Sequence, residues 1–248
     1  MNHALKIAQM SDLHLSADAG PYRDIPVREQ FVRTLEQALK AQPDMLVLSG
    51  DLAAHHGEIG AYQFLQDCLD LLDIPVFLMA GNHDVVDTLK ELFPLSGSRQ
   101  QGQEYNYQIE LQGYPLIFLD TSTKRVSHQQ LDWLEAVATA YQDKEVLLFL
   151  HHPPVDCACA FMDRKYPLQN RDETWRLIRQ LKNINRIFCG HYHSDKIVQA
   201  NEKYIYLCPS TMMQINTTNP HFEIASQCPG WREIVWNGRE LTTRSQFI

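Results

Sequence analysis

Basic clusters are scarce in this chain, and acidic residues outnumber basic ones. The 248 residues include 22 lysines and arginines against 30 aspartates and glutamates, for a formal net charge of −8. No run of basic residues is longer than two. Because binding along a nucleic-acid backbone depends on a basic surface, this balance argues against long DNA or RNA as a substrate or partner.

Long apolar runs and closely paired cysteines are also missing. No segment approaches the ~18 apolar residues of a membrane span, and residues 1–7 lack the charged-then-apolar pattern of a signal peptide. The six cysteines include no Cys-x-x-Cys pair, so reduced and mostly structural thiols are expected. We therefore expect a cytoplasmic protein that does not bind a membrane.

Apolar runs typical of buried strands end repeatedly in polar residues. The five motifs at these ends are Asp12-x-His14, Gly50-Asp51, Gly81-Asn82-His83-Asp84, His151-His152-Pro153-Pro154 and Gly190-His191-Tyr192-His193. Because parallel strands end on the same side of an open α/β sheet, these residues should converge in one crevice. Carboxylate oxygens can bridge two cations and imidazole suits Mn, Fe and Zn, so the motifs predict a metal centre.

The apolar periodicity predicts alternating strands and helices, followed by antiparallel strands. Helices over residues 27–41 and 58–72 separate the first three strands, an order that implies a parallel sheet with right-handed crossovers. A hairpin over residues 105–120 begins a second sheet, and an irregular loop is expected between the fourth motif and residue 169. Asn237-Gly238 predicts a two-residue turn in a C-terminal hairpin at about residues 231–246. We expect one α/β domain over residues 1–248, with two mixed sheets packed face to face and helices outside.

The spacing within two motifs has a local consequence. Asp12 and His14 are two residues apart, so in an extended segment their side chains point to the same side and can hold one ion together. The other such pair is His191 and His193. A glycine before Asp51 lets the backbone approach closely, and the carboxylate of Asp51 is the natural bridge between two cations.

Together, the order and spacing of the five motifs resemble the calcineurin-like metallophosphoesterase superfamily over residues 7–193. The resemblance implies two divalent metal ions, which would be Fe, Mn or Zn. The implied ligands are Asp12, His14, Asp51 and His193 for one ion, and Asp51, Asn82, His151 and His191 for the other. His151 is preferred to His152 because relatives with a single histidine keep it two places before the proline. The implied reaction is attack on phosphorus by a hydroxide that bridges ions ~3.5 to 4 Å apart.

The same resemblance gives catalytic roles to the third motif. His83 would lie beside the phosphoryl oxygens or the leaving group, where it stabilises charge or donates a proton. Asp84 would orient the imidazole of His83, or it would cap the helix that follows, and both interpretations are open.

Further segments resemble class III cyclic-nucleotide phosphodiesterases, especially the bacterial cyclic-AMP type. These segments are Leu119-Asp120-Thr121-Ser122, Gln130-Leu131-Asp132-Trp133-Leu134-Glu135 and Cys208-Pro209-Ser210-Thr211. The resemblance implies a small-molecule phosphodiester substrate, with cyclic AMP favoured, and it leaves a homodimer open. The implied substrate-binding residues are Asn82, His83, His152, Met162, Asp163 and Asn170.

Other functions compete with this hypothesis. A glycerophosphodiesterase or broad-specificity small-molecule phosphodiesterase is the second hypothesis. Two metal ions bind the phosphate of a diester and do not distinguish the alcohols that are esterified to it. A nuclease would need a basic groove, and lipid-linked pyrophosphatases of similar pattern carry Arg where His83 stands. A non-catalytic scaffold on the same fold would be expected to have lost ligands, whereas all seven are present.

Overall fold

A computed structural model describes residues 4–94 and 104–248, whose strands form two mixed β-sheets and one short two-stranded ribbon. In chain order the elements are β1 (Leu5–Met10), α1 (Val27–Lys40), β2 (Met45–Ser49), α2 (Ile59–Leu69), β3 (Val76–Met79), α3 (Val86–Leu92), β4 (Tyr107–Leu111), β5 (Tyr114–Leu119), α4 (His128–Ala140), β6 (Leu147–Leu150), α5 (Ala160–Lys165), α6 (Arg171–Gln180), β7 (Arg186–Cys189), β8 (Lys196–Ala200), β9 (Lys203–Leu207), β10 (Gln214–Ile215), β11 (Ile224–Ser226), β12 (Gly230–Trp236) and β13 (Leu241–Phe247). None of the helices in the two described ranges is long and apolar enough to cross a membrane.

The first sheet has the strand order β13-β12-β1-β2-β3. Strands β1, β2 and β3 are parallel, with Ile7 opposite Met45 and Leu48 opposite Leu78, which confirms the β-α-β-α-β pattern. The C-terminal hairpin adds β12 antiparallel to β1. The chain therefore returns to its own first strand.

The second sheet has the order β4-β5-β6-β7-β9-β8. Its four central strands β5, β6, β7 and β9 are parallel, and β4 and β8 are antiparallel edge strands. In each sheet the parallel strands therefore end on the same side. Ligands bind beyond these carboxyl-terminal strand ends in open α/β sheets.

One hydrophobic core lies between the sheets. All residues of β2, β5 and β6 are buried, as expected for strands covered on both faces. The ring of Phe118 in the second sheet stacks on Phe77 of the first at 5.8 Å, and the Tyr107 hydroxyl donates to the Leu78 carbonyl at 2.7 Å. The predicted α/β fold of two mixed sheets with helices is confirmed.

Two local predictions were wrong. The segment before residue 169 was expected to be irregular, but it contains the one-and-a-half-turn helix α5. The C-terminal turn lies one residue later than predicted, because Trp236 pairs with Leu241 and the central residues become Gly238 and Arg239. Gly238 has a φ of +90°, while the Asn237 side chain accepts hydrogen bonds from the backbone of Arg239 and Glu240.

Candidate metal centre and active site

The five strand-end motifs meet in the crevice between the two sheets. Asp12, Asp51 and Asn82 follow β1, β2 and β3 of the first sheet, whereas His151 and His191 follow β6 and β7 of the second. Backbone hydrogen bonds tie the loops together. The amide of Asp12 donates to the Gly50 carbonyl at 3.0 Å, and the amide of His191 donates to the Asp12 carboxylate at 3.0 Å.

The backbone at the predicted ligands is strained. Five of them have positive φ angles: Asp12 (53°), His14 (45°), Asp51 (51°), His191 (68°) and His193 (45°). For residues with a Cβ this left-handed conformation costs about 1–2 kcal/mol each, and such strain concentrates at functional sites. The expectation that the Asp-x-His and His-x-His pairs are extended was therefore wrong. Left-handed residues, rather than strand alternation, aim these side chains into the crevice.

Two glycines allow the loops to approach each other. A Cβ on Gly81 would lie 2.3 Å from both the backbone nitrogen and Oδ1 of Asp51. A Cβ on Gly50 would lie 2.5 Å from Nδ1 of His151. Only glycine leaves room for the carboxylate of Asp51 to pass between its neighbours.

One group of donor atoms consists of Asp12, His14 and His193, all of which are buried. Nε2 of His193 lies 3.1 Å from Nε2 of His14 and 3.4 Å from Oδ1 of Asp12. Nδ1 of His193 lies 3.1 Å from the Met213 carbonyl, to which it can only donate, so Nε2 carries the lone pair. Two imidazole nitrogens at 3.1 Å need a proton or a cation between them.

A second group is centred on Asp51 and His151. Nε2 of His151 lies 3.4 Å from Oδ2 of Asp51, and the same oxygen is 3.8 Å from Nε2 of His14 in the first group. Nδ1 of His151 donates to the Ser49 carbonyl at 2.8 Å, which leaves Nε2 as the ligating nitrogen. Oδ2 of Asp51 therefore faces both groups, as a bridging ligand must.

His191 and Asn82 complete the second group. Nε2 of His191 donates to the Tyr166 carbonyl at 2.9 Å, so its Nδ1 is free to bind a cation. Oδ1 of Asn82 is buried and has no hydrogen-bond partner among the described residues, whereas Nε2 of His151 forms the 3.4 Å ion pair with Asp51. Buried polar atoms are seldom left unpaired, so Oδ1 of Asn82 indicates a ligand that satisfies it.

The ionisation of these side chains suits cation binding. Burial opposes the charge on Asp12, but His193 and His151 outweigh it and lower its pKa to about 2. Burial also opposes the imidazolium of His151, but Asp51 and Asp12 raise its pKa to about 9. Burial lowers the pKa of His14 to about 3 and that of His191 to about 4. Anionic carboxylates thus lie beside the neutral imidazoles of His14 and His191, whereas the two carboxylates hold a proton on His151 that a bound cation must displace.

The donor set fits two divalent cations. It combines two carboxylates, one amide oxygen and four imidazoles, without a thiolate, and such ligands suit Mn, Fe and Zn. The structure brings six of the seven predicted ligands into overlapping groups of donor atoms, which also include His83 and His152. The seventh, Asn82, lines the same cavity as His14, Asp51, His191 and His193. The assignment of the seven as ligands of two ions, and the identity of the metals, stay predictions.

His83 and Asp84 are adjacent in sequence, but their side chains have different hydrogen-bond partners. The imidazole of His83 is oriented by the Ala54 carbonyl, which accepts from Nδ1 at 2.7 Å. The buried carboxylate of Asp84 instead accepts from the backbone amides of Leu52, Ala53 and Gly81 and from the Tyr62 hydroxyl. Burial and the charge of Asp51 raise the pKa of Asp84 to about 6.

Both interpretations of Asp84 from the sequence were therefore wrong. It makes no hydrogen bond to His83, and helix α3 has no side-chain cap at its N-terminus. Asp84 fixes the loop that carries Asp51 against the loop that carries Asn82. In this geometry Asp84 is a positioning residue, and its assignment as a catalytic residue stays a prediction.

An open cavity of about 330 Å³ leads to the donor groups. Of the predicted substrate-binding residues, Asn82, His83 and Met162 line it. Phe161 and Met212, which lie in segments that resemble the phosphodiesterases, also line it. The sequence interpretation missed further lining residues, because they come from loops far apart in the chain: Tyr22, Arg23, Lys124, Tyr166, Met213, Ile215 and Phe222.

Three predicted substrate contacts do not line this cavity. The carboxylate of Asp163 accepts from the backbone amides of Cys157 and Cys159, and so closes the turn before α5. Asn170 bonds both backbone groups of Val126. These side chains hold loops together in this structure, and their predicted substrate contact stays a prediction.

His152 supports the metal centre from behind. It is fully buried, its Nδ1 lies 2.9 Å from the Thr121 hydroxyl, and its ring lies 4.1 Å from that of His191. It packs against a predicted ligand and does not face the cavity. Its Nε2 has no hydrogen-bond partner among the described residues, and His152 forms a further possible donor group with His151 and His191. Its assignment as a substrate-binding residue stays a prediction.

Comparison with known protein families agrees with this geometry. The family model described as calcineurin-like phosphoesterase matches residues 5–195, which contain all seven predicted ligands. The chain belongs to this family. The family resemblance drawn from the five motifs is thereby confirmed.

Relatives of this metallophosphoesterase include named phosphodiesterases. It is 39% identical to a "probable cyclic nucleotide phosphodiesterase" of Fibrobacter succinogenes, over 98% of this chain and 94% of that protein. It is 28% identical to the 3′,5′-cyclic adenosine monophosphate phosphodiesterase CpdA of Vibrio vulnificus, over 99% of this chain and 91% of that protein. A dimetal phosphatase from Danio rerio has a similar fold, with a TM-score of 0.72, 16% identity and coverage of 96% and 98%. This metallophosphoesterase is therefore similar in sequence to proteins that are named phosphodiesterases.

Proposed function

We propose that this metallophosphoesterase hydrolyses small phosphodiesters, with 3′,5′-cyclic nucleotides as the preferred class and cyclic AMP favoured. The observation that carries the proposal is the cavity, which opens directly onto the donor groups and has a volume typical of small-molecule sites. A chain with net charge −8 offers little attraction for long polyanions. The two similar cyclic-nucleotide phosphodiesterases support the same substrate class.

The donor groups would hold two divalent cations. Asp12, His14 and His193 would bind one, the group of His151, His191 and Asn82 would bind the other, and Asp51 would serve both. When bound, such a pair lowers the pKa of water and neutralises phosphate charge. The hydrogen bonds from His151 and His193 to backbone carbonyls fix which nitrogen each imidazole presents.

His83 is the proton-transfer group in this proposal. Its Nδ1 hydrogen is held by the Ala54 carbonyl, so Nε2 is the nitrogen that exchanges a proton with the leaving oxygen. His83 lines the cavity, and its ring lies 4.7 Å from that of His14. A general acid in this position contributes about 10²- to 10⁴-fold to the rate.

Lys124 supplies a cation on another wall of the cavity. Its side chain makes no hydrogen bond or ion pair with the described residues, although it lines the cavity together with Asn82 and His191. A free ammonium group in this position neutralises a phosphoryl oxygen as it enters. The diester is thus held between a lysine and the donor groups.

The test is an assay of metal-reconstituted protein against cyclic AMP, cyclic GMP, glycerophosphocholine and bis(p-nitrophenyl) phosphate. We expect hydrolysis of cyclic AMP with a modest preference over cyclic GMP, and appreciable activity on the aryl diester. Asp51→Ala is the matched inactive control. Turnover of glycerophosphocholine without any turnover of cyclic nucleotides, with Mn, Fe and Zn each supplied, would contradict the proposal and favour the glycerophosphodiesterase hypothesis.

A further inference from the structure

A strained four-residue turn lies at the edge of the cavity. The backbone of Tyr22 and that of Ile25 exchange two hydrogen bonds of 3.0 Å, and the central residues Arg23 and Asp24 have φ angles of 52° and 61°. Two consecutive left-handed residues define a type I′ turn, which strongly favours asparagine and glycine. Arg23 therefore occupies a position to which its backbone is poorly suited, and strain of this kind points to a function for the side chain.

The turn places the guanidinium group of Arg23 between two aromatic rings. Its central carbon lies 5.6 Å from the centre of the Tyr22 ring and 5.7 Å from that of Phe222. Within the described residues this guanidinium makes no hydrogen bond or ion pair. Its five donors are free for a ligand.

Neighbouring rings connect the turn at Arg23 with the metal-donor residues on one side and with the mouth of the cavity on the other. The ring of Tyr22 is stacked with that of His14, at 6.0 Å and 26° between planes. Phe222 lies 5.8 Å from Phe161 and is 43% exposed, so part of its ring is open to a ligand. All of these residues line the cavity.

We propose that Tyr22, Arg23 and Phe222 bind the base of a nucleotide substrate by stacking. The inference rests on the proposed function, because it places the phosphodiester at the donor groups. In a cyclic nucleotide the base lies at a short, fixed distance from the phosphate, so it reaches the planar groups at the mouth. Every base presents a π-face, so this stack binds adenine and guanine alike, whereas a glycerophosphodiester has nothing to stack.

Two substitutions remove the planar groups while preserving the backbone. Arg23→Asn keeps a residue that favours the left-handed turn, and Phe222→Leu keeps apolar bulk without a ring. Phe247→Leu is the matched control, since Phe247 is 48% exposed on β13 and does not line the cavity. All three are measured as metal-loaded proteins against cyclic AMP, cyclic GMP and glycerophosphocholine, and calorimetry gives the Kd of adenosine 5′-monophosphate.

We expect KM for both cyclic nucleotides and Kd for adenosine 5′-monophosphate to rise about tenfold in each test variant, since stacking on one side chain contributes on this order. The kcat values, and kcat/KM for glycerophosphocholine, should stay within about twofold of wild type, as should every value for Phe247→Leu. Unchanged KM and Kd would overturn the inference, and so would equal losses on all substrates. A wild-type protein that binds adenosine 5′-monophosphate through these residues but turns over no cyclic nucleotide would overturn the proposed function alone.

Discussion

Replacing Gly81 by alanine tests whether the loops that carry the predicted ligands are held in close contact. Gly81 does not have a left-handed φ, so alanine adds no backbone strain. Its Cβ would lie 2.3 Å from the backbone nitrogen and Oδ1 of Asp51, whereas ordinary contact begins at 3.4 Å. The loops must therefore separate by about 1.1 Å, the difference between these two distances.

The expected loss of activity follows from this displacement. Overpacking of a tight site costs about 1–3 kcal/mol of stability. A displacement of reacting groups by about 1 Å costs on the order of 10²-fold in rate. We expect Gly81→Ala to fold, to lose at least one of two bound metal ions, and to lose about 100-fold in kcat/KM on bis(p-nitrophenyl) phosphate.

Gly113→Ala is the control for a general loss of stability. Gly113 lies in the turn between β4 and β5, has a φ of +86° and has no atom within 4 Å of an added Cβ. Alanine there costs about 1–2 kcal/mol through backbone strain but leaves the site untouched. Thermal unfolding, metal analysis and kinetics are measured on both variants. Full metal content and wild-type kcat/KM in Gly81→Ala would refute the close approach of the two loops.

Three further substitutions separate the roles of site residues. Asp51→Ala should reduce metal content to one ion or none and abolish activity, and two tightly bound ions would contradict its bridging position. His83→Ala should keep both ions and lose about 10²- to 10⁴-fold in kcat, most for poor leaving groups; a parallel loss of metal would make His83 a ligand. Asn170→Ala should lower stability by about 1–3 kcal/mol, since the backbone of Val126 loses its partners, with KM for cyclic AMP unchanged. A selective rise in that KM would support the contact predicted from the sequence.

Much of the metal centre could be predicted because its chemistry depends on strand ends. Apolar runs locate the strands, and parallel strands carry their carboxyl-terminal residues to one edge. Asp12, Asp51 and His151 are therefore brought together although they are far apart in the chain. The homodimer and the cytoplasmic location have no comparable basis in the fold, and they stay predictions of the sequence alone.

The roles of small polar residues could not be predicted in the same way. Asp84 was expected to serve His83 because the two are adjacent, but its partners include Leu52, which lies 32 residues away. Asp163 and Asn170 are also occupied by backbone groups that no local pattern reveals. The aromatic mouth of the cavity was missed for a related reason, since Tyr22 and Phe222 meet only through the tertiary fold.

The central claim is that seven side chains hold two divalent cations at the shared edge of the sheets. Its most direct test is a metal titration of the purified, metal-free chain with Mn²⁺ or Zn²⁺, followed by elemental analysis of the protein. We expect two ions per chain at saturation, falling to one or none in Asp51→Ala. A wild-type chain that saturates with one ion, or binds none, would contradict the claim.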